Sequence, residues 1–363
     1  MKWSWKIARF AGIDIYVHAT FFILILWLGL IYWAAEGTLQ AVFSGIGFIL
    51  LLFTSVVLHE FGHALTARRF GISTRNITLL PIGGVALLEK MPDDPRQEIL
   101  VALAGPAVNL AIALLLFLAS GVNGAFISAE PLQLAEGGVL QRLMLLNVFL
   151  AIFNLIPAFP MDGGRVLRAV LALRMDQLQA TQTAASIGQS VALLFGFLGI
   201  LYNPLLIFIA LFVWIGAAAE VNNAALKSTL AGVSVGEAMQ TNFAVLHPQE
   251  PLERAIELTL SGTQREFPVL FGDKLVGVLG QTEMLQGLSH KGKHALTSEF
   301  MQQQLECVQS DEPLQRVVER FHSSGSRIIL VMHAEKLAGI IDMENIIELM
   351  NINTAMHRKL GKF

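Results

Sequence analysis

The chain has 363 residues, of which 54% are hydrophobic and 15% charged, with a mean hydropathy of +0.59. The charges crowd into the last third, so an integral membrane protein with a soluble tail is expected. The net charge of −3 argues against a nucleic-acid partner, and Cys307, the only cysteine, cannot form an internal disulfide.

About twenty apolar residues cross roughly 30 Å of hydrocarbon. Six segments qualify: 17–35, 42–67, 97–119, 140–158, 185–202 and 204–221. The first is too long, and lacks a suitably placed small-residue cleavage site, to be a removable signal peptide. His18, at its start, reads as an interfacial anchor.

The second segment ends in HEFGH, residues 59 to 63. On a helix, residues four apart share a face, so both imidazoles can reach one tetrahedral ion with Glu60 beside them. HExxH is the zinc-binding and general-base signature of metalloproteases. Ionisable groups at membrane depth are costly and generally kept for function.

The next stretch, NITLLPIGGVALLE (76–89), places two apolar runs around a Pro-x-Gly-Gly turn and predicts a short β-hairpin dipping towards the histidines. An edge near Gly83 and Gly84 would let extended substrate add as a strand; the alternative is a purely structural re-entrant hairpin. In the third segment Gly105 and Asn109 stand one turn apart and read as helix packing. The loop before the fourth segment, Gly121 to Gly138, is too short for a folded substrate-sizing insertion.

The fourth segment runs into NLIPAFPMDGGRVLRA (154–169). Pro157 and Pro160 should break the helix, and Gly163-Gly164 should allow an irregular turn. Irregular backbone at membrane depth is tolerated where it lines an enclosed cavity. A catalytic zinc wants three protein ligands and one open position. The membrane half offers no further histidine except His18, so a carboxylate is expected, and Asp162 is the candidate. The fifth and sixth segments, separated by little more than Asn203-Pro204, should form a tight hairpin.

Lys and Arg fall before the first segment, between two and three, between four and five, and after six, while the 1–2 and 3–4 loops carry none. Both termini are therefore expected on the cytoplasmic side of a multi-pass protein of the inner cell membrane.

Beyond about residue 228 the sequence turns polar and repeats at an offset of 62: PQEPLERAIE (248–257) answers SDEPLQRVVE (310–319), and GDKLVGVLG (272–280) answers AEKLAGIID (334–342). Each unit reads as a lead-in, an amphipathic helix, two strands and a closing helix. HKGKH (290–294) lies in the linker between them and, lacking a glutamate, is not expected to hold a metal. The expected division is 1–225 for the membrane part, 226–290 for the first repeat and 291–363 for the second repeat and tail.

The tail resembles a tandem of cystathionine-β-synthase (CBS) domains. That resemblance implies an adenine-nucleotide site at a Gly-h-h-Thr/Ser-x-x-Asp stretch (h apolar), which here reads GVLGQTE (277–283) and GIIDMEN (339–345). The pattern's hydroxyl and aspartate are both missing, which leaves a packing or homodimerisation module as the larger expectation. HEFGH together with N-x-x-P-x-x-P-M-D-G-G-R resembles the site-2 protease family of intramembrane zinc metalloproteases, in its CBS-bearing branch. The resemblance implies a polytopic α-helical fold with a three-helix catalytic core. It also implies one Zn2+ per chain held by His59, His63 and Asp162, Glu60 as the base, and Asn154 holding substrate or transition state. The partners implied are membrane-anchored single-span proteins cut in regulated intramembrane proteolysis. A CBS-regulated transporter would predict more spans and repeats among them, and a metal-bound scaffold would tolerate loss of Glu60.

Overall fold

The computed structural model describes residues 3–81, 83–88, 91–120, 138–324 and 326–360. The loop expected between the third and fourth spans lies outside them, apart from Gly138, as do Ile82 and Glu89 of the expected hairpin. Two compact units divide the chain, Met1–Ala224 and Ala225–Phe363.

The first unit opens with strands β1 (Ser4–Phe10) and β2 (Ile13–His18), followed by helices α1 (Ala19–Glu36) and α2 (Leu39–Arg69). Strands β3 (Thr74–Leu80) and β4 (Gly83–Leu88) come next, then α3 (Pro95–Ala119), α4 (Val139–Asn154), α5 (Asp162–Ala172), α6 (Gln177–Leu201) and α7 (Leu205–Leu230). Each of the six apolar segments holds one helix, though β2 takes residues 17 and 18 of the first and α4 ends at Asn154, short of residue 158. Among the described residues α1, α2, α3, α6 and α7 are long and apolar enough to cross a membrane, whereas α4 has 16 residues. At 1.5 Å per residue α4 spans only about 24 Å. It stops because Pro157 and Pro160 follow, and proline neither donates a backbone hydrogen bond nor lets its predecessor stay helical. The irregular stretch 155–161 is wedged between α6 and α7. A Cβ on Gly188 would fall 3.0 Å from Ala158 Cα, and one on Gly216 would fall 2.6 Å from Pro160 Cδ.

The glycines after that stretch act differently from the expectation. Gly163 and Gly164 form the first turn of α5 rather than an irregular turn, and both are buried. They are needed for approach: a Cβ on Gly164 would lie 2.6 Å from the Ala158 carbonyl carbon.

The sheet runs in the order β1-β2-β3-β4 and is larger than the expected hairpin. β2 pairs with β3 in parallel and the other neighbours are antiparallel, which leaves β4 on an edge. The alternation in IDIYVH is plain: Ile13, Ile15 and Val17 are buried and the residues between them half-buried. Ile13 and Ile15 pack with Phe61, Ala64 and Ile77, so the sheet lies against the HEFGH end of α2. His18 is the N-cap of α1, its Nδ1 accepting from the Thr20 amide at 3.3 Å; a side chain in that role satisfies one of the helix's free donors.

The second unit contains α8 (Val235–Ala238), α9 (Leu252–Ser261), β5 (Glu266–Phe271), β6 (Lys274–Gly280), α10 (Gln281–Lys291), β7 (Cys307–Gln309), α11 (Leu314–Ser324), β8 (Ile328–His333), β9 (Lys336–Asp342) and α12 (Met343–Leu360). The element order follows the repeat. The lead-ins are exchanged between the copies: Gln240 bridges Ile340 of the second repeat, and Gln302 bridges Val278 of the first. The cores follow the exchange. Leu230, Val235 and Ala238 pack with Val308, Ile329, Val331 and Ile341, while Ala295 packs with Leu252, Phe267 and Leu279.

Candidate active site

Three helices converge on one point of the first unit. On α2, His59 and His63 are buried, and their Nε2 atoms lie 3.1 Å apart. Asp162, the first residue of α5, sends Oδ2 to 3.2 Å from His59 Nε2 and 3.1 Å from His63 Nε2. Its other oxygen faces Arg165 Nη1 at 4.0 Å. Residues that sequence separates by about a hundred positions thus meet because the α4–α5 break turns the chain so that α5 packs on α3, with Asp162 reaching the histidines of α2.

The third helix, α3, aims the imidazoles. The Val101 carbonyl accepts from His63 Nδ1 at 2.7 Å, and Asn109 Oδ1 accepts from His59 Nδ1 at 3.0 Å. With both Nδ1 atoms donating, both Nε2 lone pairs face inward. Between these two residues stands Gly105, where a Cβ would lie 2.6 Å from His59 Nε2 and closer still to His63 Nε2. Val101, Gly105 and Asn109 are spaced by four, so one stripe of α3 holds both rings and leaves room for them. The reading of Gly105 and Asn109 as packing missed this; their spacing from Val101 was the available signal. Gly62 admits α3 at this distance, since a Cβ there would fall 2.7 Å from the Ala104 carbonyl oxygen.

Glu60, half-buried beside the histidines, accepts from the Ala86 amide of β4 at 3.2 Å through Oε2. Gly84 abuts the same side chain: a Cβ there would lie 2.8 Å from Glu60 Cγ. Gly83 has φ +140°, a conformation that favours glycine. Asn154 is the last residue of α4 and half-buried.

The three inward donors fit a zinc ion. With bonds of 2.0–2.1 Å, two ligands of a tetrahedral zinc lie about 3.3 Å apart. Here the separations are 3.1, 3.1 and 3.2 Å, so the three atoms span one face of such a tetrahedron. Among the described residues this is the one group of three or more His, Cys, Asp or Glu side chains able to share a metal ion.

The peptidase family M50 model matches residues 47–135 and 122–199, and the CBS domain model matches 235–290 and 298–352. A zinc metalloprotease of Methanocaldococcus jannaschii is 33% identical over 360 residues, covering 97% of each chain. The chain belongs to peptidase family M50. It is a metalloprotease of the site-2 protease family that carries tandem CBS domains, and a multi-pass membrane protein. The solved site-2 protease from Methanocaldococcus jannaschii is 39% identical, with 60% of this chain and 95% of that one covered at a TM-score of 0.44.

In the second unit of this M50 peptidase, a cleft of about 940 Å³ is lined by Arg265, Glu266, Arg327, Asp342, Glu344 and Glu348, among others. Arg327 lies 3.6 Å from Glu266. Burial pushes the Glu266 carboxyl above the ordinary carboxylate range, against the pull of Arg327. Asp342 and Asn345, which stand where the nucleotide pattern has a hydroxyl and an aspartate, cap each other instead: each accepts the other's amide, at 2.8 and 3.2 Å.

Proposed function

We propose that the protein is an intramembrane endopeptidase in which His59, His63 and Asp162 hold one zinc ion and Glu60 is the general base. The observation that carries this reading is the meeting of three inward donor atoms within 3.2 Å of one another, with Glu60 on the same helix turn. When bound, zinc polarises the scissile carbonyl and lowers the pKa of water. The Ala86 amide holds Glu60 Oε2, leaving Oε1 to take a proton from water and hand it to the leaving amine. Asn154 supplies a side-chain donor to the developing oxyanion.

Substrates are single-span membrane-anchored proteins. Such a substrate arrives with its peptide groups bonded within a helix, and these must be re-satisfied once it unwinds. The edge of β4 serves that need by pairing with the extended segment through backbone groups other than the Ala86 amide, which Glu60 holds. Ala86 pairs with Ile77 in the ladder, and its amide turns to Glu60, so strand and base share one position. Both termini and the CBS pair lie in the cytoplasm, following the Lys/Arg asymmetry of the loops. The CBS pair is a regulatory or dimerisation module. Its cleft offers more carboxylates than guanidinium groups, which disfavours a nucleotide polyphosphate.

The test is cleavage of a single-span substrate by detergent-purified protein, wild type against Glu60→Gln, with zinc measured on both. The reading expects one zinc on each and cleavage only by the wild type, falling by a factor on the order of 10²–10⁴ in the variant. Undiminished cleavage by Glu60→Gln would remove the base assignment, and a wild-type protein without zinc would remove the ligand set.

A further inference from the structure

A second buried polar cluster stands outside the donor triad. Arg168, on α5, is 6% exposed and Glu98, on α3, is 2% exposed. Arg168 Nε donates to Glu98 Oε1 at 2.9 Å, Nη2 donates to the same oxygen, and Nη1 donates to Glu220 of α7. The guanidinium also stacks 5.4 Å from the centroid of Phe159, in the stretch that leads to Asp162.

Stability alone is a weak reason for this arrangement. Desolvating ions is costly, and apolar residues of similar size often hold helices together as well or better. One carboxylate would neutralise the arginine, yet two are present. What distinguishes the cluster is which helices it joins. α5 begins with Asp162, and Arg168 follows six residues later. α3 carries Glu98 one turn before Val101, whose carbonyl aims His63, and on the same helix Asn109 aims His59. The Arg168–Glu98 bonds therefore fix the helix that aims the histidines against the helix that presents the aspartate. The second carboxylate comes from α7. That helix runs on to Leu230, and Leu226 and Leu230 belong to the core of the second unit.

We propose that Arg168 is a positioning residue that holds Asp162 in register with His59 and His63, and that Glu220 sets the strength of this hold from α7. The proposal rests on the reading of Asp162 as a zinc ligand. A shift of α7 that withdraws Glu220 leaves Arg168 with Glu98 as its one carboxylate partner, and the arginine holds α5 less firmly. α7 thereby acts on the metal site through a single side chain.

The experiment uses the full-length protein in detergent, comparing wild type with Arg168→Lys, Glu98→Gln, Glu220→Gln and Asp162→Asn. Four quantities are read: zinc content, the rate of zinc release to excess chelator, kcat against KM on a single-span substrate, and the melting temperature. Arg168→Lys and Glu98→Gln are expected to release zinc about tenfold faster and to lose about tenfold in kcat, with KM little changed. Glu220→Gln, whose side chain is 31% exposed and whose removal the fold should survive, is expected to move both quantities the same way by about threefold. Asp162→Asn is expected to lose its zinc. Variants that melt lower but release zinc and turn over at wild-type rates would overturn the proposal and leave the cluster a structural tie. If only Glu220→Gln behaves so, the α7 arm is overturned. Asp162→Asn holding zinc as tightly as wild type would instead overturn the ligand reading beneath it.

Discussion

Asn109 Oδ1 lies 3.0 Å from His59 Nδ1, fifty positions away, and so fixes which nitrogen of the imidazole is free. Removing the acceptor frees the ring to rotate and to take the other tautomer. Asn109→Leu is expected to weaken zinc binding by about 10–100-fold, as loss of such a partner commonly does. Asn109→Asp, which keeps an acceptor, should lose less. Chelator competition on the two purified variants measures the difference.

Gly105→Ala tests the space rather than the hydrogen bond. Its methyl would sit 2.6 Å from His59 Nε2 and closer still to His63 Nε2, where the ion belongs. Neither imidazole can move without leaving its partner on α3. The variant is expected to fold, purify without stoichiometric zinc and show no cleavage; a normal zinc content would contradict the packing described for α2 and α3.

Gly84→Ala should separate binding of metal from catalysis. The added methyl meets Glu60 Cγ at 2.8 Å and Val56 Cγ1 at 3.2 Å, while nothing places it against the histidines. Zinc content is expected to remain at one per chain, and kcat to fall at least tenfold, up to the loss on the order of 10²–10⁴ that complete removal of a general base costs. Measuring both on one preparation decides it.

The exchanged lead-ins carry a stability prediction. Segment 291–360 alone lacks Leu230, Val235 and Ala238, whose side chains fill its core. It is expected to show no cooperative thermal unfolding by circular dichroism, whereas 226–360 should melt in one transition. A cooperative melt of the shorter segment would mean that the copies fold independently.

ATP is expected to leave the melting temperature of the CBS pair unchanged. A ligand present at 100 times its Kd would add about 2.7 kcal/mol, a shift readily seen. The carboxylates of Glu266, Asp342, Glu344 and Glu348 around the cleft oppose a polyphosphate. A rise in melting temperature with millimolar ATP would reverse this reading.

Much of the site was legible because its residues are out of place. His59, Glu60 and His63 stand at the end of a lipid-compatible run, and Asp162 follows two prolines that no membrane helix would keep idly. The supporting residues were not legible, because each is ordinary where it stands. Asn109 and Gly105 in an apolar helix fit close packing equally well, and only the convergence of α2 on α3 gives them partners. Gly163 and Gly164 look like a turn because the sequence records small size without the reason for it. β1 and β2 were hidden by position: a six-residue alternation such as IDIYVH, directly before a long apolar run, reads as the approach to a span. Its pairing partner, β3, lies beyond two helices.

That pairing has a consequence for synthesis. β2 meets β3 in parallel only after α1 and α2, which hold 18 and 31 residues, have emerged. Throughout that interval β1 and β2 form at most an isolated hairpin, a structure of marginal stability in water. Bonds between parts so distant in the chain form late, because the entropy of closing the intervening loop is lost before the contact returns any stabilisation. β4 can take its place beside Glu60 only after β3 has docked. A nascent chain therefore completes the two histidines before the strand that holds the glutamate, and both still await the partners that α3 and Asp162 of α5 bring.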